Sequence, residues 1–218
     1  MIPLFHDFAD ETVLVVGGGP VGARKARKFA READVLVLSP DFADADFGDA
    51  ERVQTMPAPE DAADWVARTN PALVVAATDD GDVNDAFVAA ARDAGALVNR
   101  ADESGGRDAD SVVVPATVRD DPVAVAVATG GASPALSKYL REQLENELAG
   151  AGAIAELTAD LRTELQAADV DPETRRNAVR AVVRSGPVWK ALRTGGTNAR
   201  QTADDVVADV VGNSEWST

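Results

Sequence analysis

The stretch Val13–Gly22, VLVVGGGPVG, constrains this 218-residue chain more than any other. Four consecutive apolar residues, Val13 to Val16, read as a strand buried on both faces. They run into Gly17, Gly19 and Gly22 in G-x-G-x-x-G spacing, and an Ala-rich segment of helical period begins at once. Gly17 permits the tight turn out of the strand, Gly19 leaves room for a pyrophosphate against the backbone, and Gly22 lets the helix lie close on the strand. The N–H groups and the dipole at the helix start attract phosphates. With Gly18, Pro20 and Val21 completing the loop, residues 17–22 are the expected dinucleotide site. A turn built from purely structural glycines is the alternative. The strand pattern before the loop and the helix pattern after it favour the dinucleotide.

The charge balance excludes other partners. The formal net charge is -16, and acid is spread along the chain, mostly as Asp, so the surface repels nucleic-acid phosphates and anionic membranes. No apolar run is long enough to span a membrane, and MIPLFHDFAD lacks the basic start of a secretory signal. There is no cysteine, which removes disulfides and thiolate metal sites and fits a cytoplasmic location. Lysine occurs only at Lys25, Lys28, Lys138 and Lys190. This Asp-rich, Lys-poor balance resembles a halophilic-type surface, whose self-repulsion salt would screen. An ordinary acidic protein is the alternative.

Taken in order, the chain alternates strand and helix from residue 13 to about 102, which predicts an α/β fold with a Rossmann-like parallel sheet. The first helix is expected over Val21–Arg31, with Arg24, Lys25, Arg27, Lys28 and Arg31 as a basic stretch that reads either as a solvated face or, in so acidic a chain, as a positive patch for an anionic ligand beside the phosphate site. Val35–Leu38 is the second strand. Its end, Ser39-Pro40-Asp41, places Ser39 where such folds usually carry the acid that holds the ribose. With no basic residue there, NAD is favoured over NADP. Leu73–Ala77 is a central strand, so Thr78 and Asp79 fall at the carboxyl edge where ligands bind, and Asn99 follows the strand Ala96–Val98.

Beyond residue 110 the alternation stops. Ser111–Thr117 and Val123–Ala128 read as a hairpin, and Thr129-Gly130-Gly131-Ala132-Ser133-Pro134 is a second glycine-rich loop before a helix over Ala135–Leu148. Ser133 is the expected cap of that helix. Gly150-Ala151-Gly152 is expected to break the helix, and the rest is helical in period. The division is therefore 1–110 as the dinucleotide domain, 111–150 as a small α+β region, and 151–218 as a C-terminal helical region. His6, the one histidine, reads as a surface residue.

These residues resemble the precorrin-2 dehydrogenases of siroheme synthesis, including the N-terminal module of siroheme synthase. The matching stretches are Pro3-Leu4-Phe5, Val15–Gly22 with Arg24-Lys25, Ala76–Asp80 with Val83-Asn84, Leu97–Asn99, Val114–Ala116, and Ala126–Pro134 with Leu140-Arg141. The string A-T-D-D-x-x-V-N together with T-G-G-A-S-P is specific, whereas the glycine loop alone is generic. The resemblance implies a homodimer joined through the central region, oxidation of precorrin-2 to sirohydrochlorin with NAD+, and, in some members, insertion of Fe2+ to give siroheme. It implies that Asp102, just past the last Rossmann strand, is catalytic; with no cysteine and only His6 no stable metal site is expected, and a transient Fe2+ path through Asp102 stays open. It also implies that Thr129 lies at the tetrapyrrole site, where the fusion enzyme has a Ser.

The substrate carries eight carboxylates and needs cations. Arg100, Arg107, Arg119, Lys138 and Arg141 are the candidates, with Thr129, Gly130, Gly131 and Ser133 lining the loop. An NAD-binding regulatory module, or an NAD dehydrogenase for another small anion, are the alternatives. Neither needs the T-G-G-A-S-P loop.

Overall fold

In a computed structural model, residues 2–101, 111–194 and 198–212 are described. They fall into two units, one running to Val114 and the other starting at Pro115. Each is built around its own apolar core.

The first unit is a five-stranded sheet of β1 (Thr12–Val16), β2 (Asp34–Ser39), β3 (Glu51–Gln54), β4 (Leu73–Ala76) and β5 (Leu97–Arg100). The strands lie in the order β3-β2-β1-β4-β5, and every neighbouring pair is parallel. Between them run α1 (Pro20–Phe29), α2 (Ala62–Thr69) and α3 (Gly81–Asp93), with a single 3-10 turn, Pro59–Asp61, before α2. Strand residues alternate between faces. Val13, Val15, Val37, Leu73 and Val75 pack with Ala23 and Ala26 of α1, whereas Leu14, Val16, Leu38, Val74 and Val98 pack with Val66 of α2 and Phe87 and Val88 of α3. Both faces are covered, which is why the strands read as unbroken apolar runs rather than alternating ones. Each fully buried Val, Leu or Phe contributes about 1.5–3 kcal/mol through the area it takes from water. This parity matters for the site, because Asn99 falls on the α1 face and Arg100 on the α3 face.

The expected α/β architecture and the order of elements are present. The hairpin is shifted: β6 is Ala116–Asp120 and β7 is Val123–Val127, paired antiparallel from Ala116↔Val127 to Asp120↔Val123. The expected strand over Ser111–Thr117 is corrected accordingly. Ser111 bridges Val98 in parallel, and the Val112 N–H donates to the Val98 carbonyl at 2.7 Å, so this segment returns beside β5. Pro115, which has no N–H to give a ladder, separates that return from the hairpin.

In the second unit β6 and β7 precede α4 (Pro134–Leu148), α5 (Ala151–Ala167), α6 (Pro172–Arg184), α7 (Gly186–Arg193) and α8 (Ala199–Val211). Ile154, Leu161 and Leu165 of α5, Ala178 and Val182 of α6, Val188 of α7, and Ala203 and Val207 of α8 form its core. The expected break at residues 150–152 is narrower than the sequence predicts. Ala149, at ψ 121°, and Gly150, at φ +89°, leave the helical path, and Gly152 lies inside α5. There a Cβ would come within 2.1 Å of the Asp121 carbonyl oxygen, and the Gly152 N–H donates to Asp120 Oδ2 at 3.2 Å. Gly152 is a packing glycine, not a breaker. Arg193 of α7 donates to the carbonyls of Glu147 (2.8 Å) and Ala149 (3.0 Å), capping the end of α4. No helix among the described residues is long and apolar enough to cross a membrane.

Candidate functional site

The glycine loop joins β1 to α1. Gly17 has φ +116°, a Cβ there would lie 2.4 Å from the Ala77 carbonyl oxygen, and its N–H donates to the Leu38 carbonyl at 2.9 Å. Gly22 would push a Cβ to 1.9 Å from the Gly17 carbonyl oxygen, so only glycine lets α1 sit this close. A Cβ at Gly19 would meet nothing within 4 Å. The space over Gly19 is therefore open, at a helix N-terminus that has no side-chain cap and no acidic residue in its first turn. These features fit a dinucleotide pyrophosphate. Pro20 occupies the first helical position, where no N–H is missed, and Val21 follows half-buried. Gly18 has a separate reason to be glycine: a Cβ would lie 2.5 Å from the Asp41 carbonyl oxygen, because the chain after β2 folds back over it and the Ala43 N–H donates to the Gly18 carbonyl at 2.8 Å.

That fold-back governs Ser39 and Pro40. The Ser39 hydroxyl is buried and donates to the Asp41 carbonyl at 2.6 Å, and the Pro40 carbonyl accepts from Gln54 Nε2 at 3.0 Å. Ser39 shapes the turn more than it offers a ribose contact. Asp41 and Asp44 are exposed in the same loop.

At the end of β4, Thr78 and Asn84 clasp each other. The Thr78 N–H and hydroxyl donate to Asn84 Oδ1 (3.2 and 2.7 Å), and Asn84 Nδ2 donates back to the Thr78 carbonyl (2.9 Å). Asp80 caps α3, its Oδ1 accepting from the N–H groups of Asp82 (2.9 Å) and Val83 (3.2 Å). The A-T-D-D-x-x-V-N string is thus one turn held by its own polar side chains, with Asp79 exposed at its tip. Asn84 was not among the expected site residues. Its signal was a polar residue at a core-spaced position of α3, one after the buried Val83.

At the end of β5, Asn99 is 5% exposed. Its Oδ1 accepts from the Lys25 ammonium at 2.8 Å, and its Nδ2 donates to the Val112 carbonyl at 2.8 Å. Burial, then the nearby Lys28 and Arg24, pulls the Lys25 pKa from 10.5 down to about 8. The expectation that Lys25 is a solvated member of a basic stretch is corrected. Residues 22, 25, 26 and 29 form one stripe of α1, and Lys25 is the charged member of the stripe that faces the sheet. Arg100, expected to bind substrate, points to the other face. Its Nη1 lies 2.5 Å from Asp85 Oδ1 on α3, with 14% of its side chain exposed. Asp102 and Arg107 lie outside the described residues.

In the second unit, Gly130 and Gly131 take φ +68° and +87°, which glycine alone adopts without strain. The Thr129 hydroxyl donates to the Ser133 carbonyl (3.0 Å) and accepts from the Ser133 N–H (3.2 Å), closing the loop on itself. Ser133 caps α4 by accepting from the Leu136 N–H at 3.2 Å. Lys138 and Arg141 follow on α4, Lys138 at 3.9 Å from Glu142 and Arg141 at 2.5 Å from Glu145. Among the described residues no group of three His, Asp or Glu is placed to hold a metal.

Known proteins share this chain's sequence pattern and fold. The NAD(P)-binding family model matches residues 4–116, more than half of the chain, and the model for the central part of sirohaem biosynthesis proteins matches residues 120–147. The chain belongs to this NAD(P)-binding family. Among relatives of this family, the siroheme synthase of Chromobacterium violaceum is 34% identical over 203 residues, covering 88% of this chain and 40% of that protein. The chain therefore spans about two-fifths of the length of that relative. The precorrin-2 dehydrogenase of Methanosarcina barkeri is 29% identical and is covered over 96% of its length, with 98% of this chain. The solved structure of SirC, precorrin-2 dehydrogenase, superposes with a TM-score of 0.68 at 23% identity, over 96% of this chain and 100% of that one, which establishes the shared fold. An NAD(P) cofactor follows from the family and from the open ground over Gly19.

Proposed function

We propose that this chain oxidises precorrin-2 to sirohydrochlorin with NAD+, in the synthesis of siroheme. The observation that carries the reading is the loop at Gly17–Gly22, open where a pyrophosphate would lie, in a chain matched end to end by a precorrin-2 dehydrogenase. NAD+ is preferred to NADP+ because the turn after β2 presents Asp41 and Asp44, and these acids repel a 2′-phosphate.

The cofactor supplies a hydride acceptor when bound. The chain's own task is to hold the two rings together and to take the proton released with the hydride. In this reading α1 and Gly17–Gly22 bind the pyrophosphate, Thr78 and Asp79 border the cofactor, and Asn99 shapes the edge beside it. Asp102 takes the proton or steers the substrate. Thr129–Ser133 and the cations Lys138 and Arg141 receive the substrate's carboxylates, each cation being released from its surface carboxylate at small cost. Arg100, paired with Asp85, contributes less than the sequence implies. Insertion of Fe2+, as a second substrate passing through Asp102, belongs to the same proposal and is tested separately.

The homodimer is part of the reading. No residue of α4 is buried, and Leu136, Tyr139 and Leu140 are 46%, 57% and 37% exposed. An apolar helix face of this size fits a second copy of the chain. Sedimentation equilibrium is expected to give twice the 22.6 kDa chain mass, and Tyr139→Glu to give the single chain. A single chain for the wild type would sink this part.

Anaerobic incubation with precorrin-2 and NAD+ at high salt, followed by the absorbance of sirohydrochlorin, decides the reaction. Product that depends on NAD+ supports it, and folded protein that makes none overturns it. Metal-free sirohydrochlorin with Fe2+ then tests chelation. Asp102→Asn is expected to lower turnover about a hundredfold with NAD+ affinity unchanged. Full activity in that variant would remove Asp102 from the chemistry.

A further inference from the structure

Lys25 is held where a charge is expensive. α1 turns Gly22, Ala26 and Phe29 toward the sheet, and Lys25 shares their stripe. A largely desolvated ammonium needs a hydrogen-bond acceptor, and among the described residues the half-buried Lys25 has the neutral Asn99 amide at 2.8 Å. Among the described residues, the charges that act on Lys25 are Lys28 and Arg24 of its own helix, both repulsive. β1 and β4 bring apolar side chains to this face, and β5 brings the Asn99 amide. A Met would fill similar space without the desolvation cost, so filling space does not account for a lysine here.

What the ammonium adds is direction. It can only donate and the Val112 carbonyl can only accept, so the two together set Oδ1 toward Lys25 and Nδ2 toward Val112, and the charge makes the Lys25 side of this grip the stronger one. Nδ2 then donates to the Val112 carbonyl at 2.8 Å, while the Val112 N–H donates to the Val98 carbonyl at 2.7 Å. The result is a continuous polar line from the helix that follows the glycine loop, across the face of the sheet, to the chain segment lying along β5. That line ends at the carboxyl edge of the sheet, where the far half of a dinucleotide lies in folds of this kind.

We propose that the Lys25 ammonium is a positioning residue for the NAD(P)-dependent step: it fixes the Asn99 amide and, through it, holds Ser111–Val112 against β5, so that the edge meeting the nicotinamide half keeps one shape. The proposal rests on the reading that the cofactor lies over Gly17–Gly22. Its consequence is an alkaline limit. A neutral amine donates more weakly than an ammonium, so once Lys25 loses its proton the charge-assisted hydrogen bond that holds Asn99 Oδ1 slackens and the amide is held less firmly. The change centres on about pH 8.

The test is binding of NADH, read by its fluorescence, from pH 7 to 9.5 for the wild type, Lys25→Arg and Lys25→Met. The wild type is expected to lose about tenfold in affinity (~1.4 kcal/mol) across this range, with a single midpoint near 8. Lys25→Arg, charged throughout, should keep its neutral-pH affinity, and Lys25→Met should bind weakly at every pH. Urea unfolding separates this limb from loss of the fold. The folded pKa lies below the unfolded one, so the folded chain sheds this proton first, and the contribution of Lys25 to stability rises between about pH 8 and 10.5. An alkaline limb unchanged in Lys25→Arg, or superimposable profiles for Lys25→Met and the wild type, overturns the proposal alone. Failure of the wild type to bind NADH at pH 7 overturns the cofactor reading and this proposal with it.

Discussion

Alanine at Gly22 is expected to cost the fold, and alanine at Gly19 is expected to cost only the cofactor. A Cβ at residue 22 would lie 1.9 Å from the Gly17 carbonyl oxygen. That oxygen is backbone in a turn whose own glycine is pinned against Ala77, so neither side can give way. The helix must lift off β1, at a cost of about 3 kcal/mol or more in unfolding free energy. At Gly19 the backbone φ is -72°, ordinary for any residue, and the added methyl meets no protein atom within 4 Å. The thermal midpoint should therefore stay within about 2 °C of the wild type. NADH affinity should fall at least about tenfold, because the methyl stands where a phosphate must approach. Calorimetry of the two variants beside NADH titration makes the comparison. A Gly19→Ala variant that binds as tightly as the wild type would mean that the pyrophosphate does not lie on this loop.

The second large effect is expected at Asn84. The side chain is 1% exposed and spends both ends of its amide on Thr78. Asn84→Ala leaves the Thr78 N–H and carbonyl without these partners where water has poor access, and opens a small void beside Val83 and Phe87. A loss of about 2–4 kcal/mol follows, read as a lower urea midpoint at an unchanged slope. Cofactor binding should weaken as well, because Thr78 and Asp79 take their places from this clasp. A change under about 0.5 kcal/mol, within the range of ordinary surface substitutions, would show that the turn is held by something other than Asn84.

The sheet was legible in the sequence because burial on both faces leaves an unmistakable mark: Val13–Val16 and Leu73–Ala77 admit no polar residue. The glycine loop was legible for a different reason, since steric limits at Gly17 and Gly22 allow one residue type. What the sequence concealed were partnerships between distant elements. Lys25 looks like any other cation in a basic helix until the phase of the helix is set against the parity of β5, which puts Asn99 on the same face. The same parity turns Arg100 away, toward Asp85. The first strand of the hairpin starts about five residues later than the sequence predicts, whereas the second lies where it is expected, because the apolar run Val112–Val114 resembles a strand whether it pairs with β5 or with β7, and periodicity carries no information about partners. The sequence offers Thr129 and Ser133 as ligands for a substrate, and Ser133 also as the cap of the helix, which it is. In the structure their first duty is to each other and to the start of α4.

The reach of Arg193 to the carbonyls of Glu147 and Ala149 sets a constraint in time as well as in space. A chain emerging residue by residue from a ribosome completes α4 long before Arg193 exists, so the last turn of that helix waits, solvated, for a side chain 44–46 positions further along. The second unit is accordingly finished from its far end. Grafting residues 115–150 into another scaffold would carry the glycine-rich loop and its helix but leave behind the group that closes them. Exchange of this loop between relatives is better made with the whole of Pro115–Val211 as the transplanted piece.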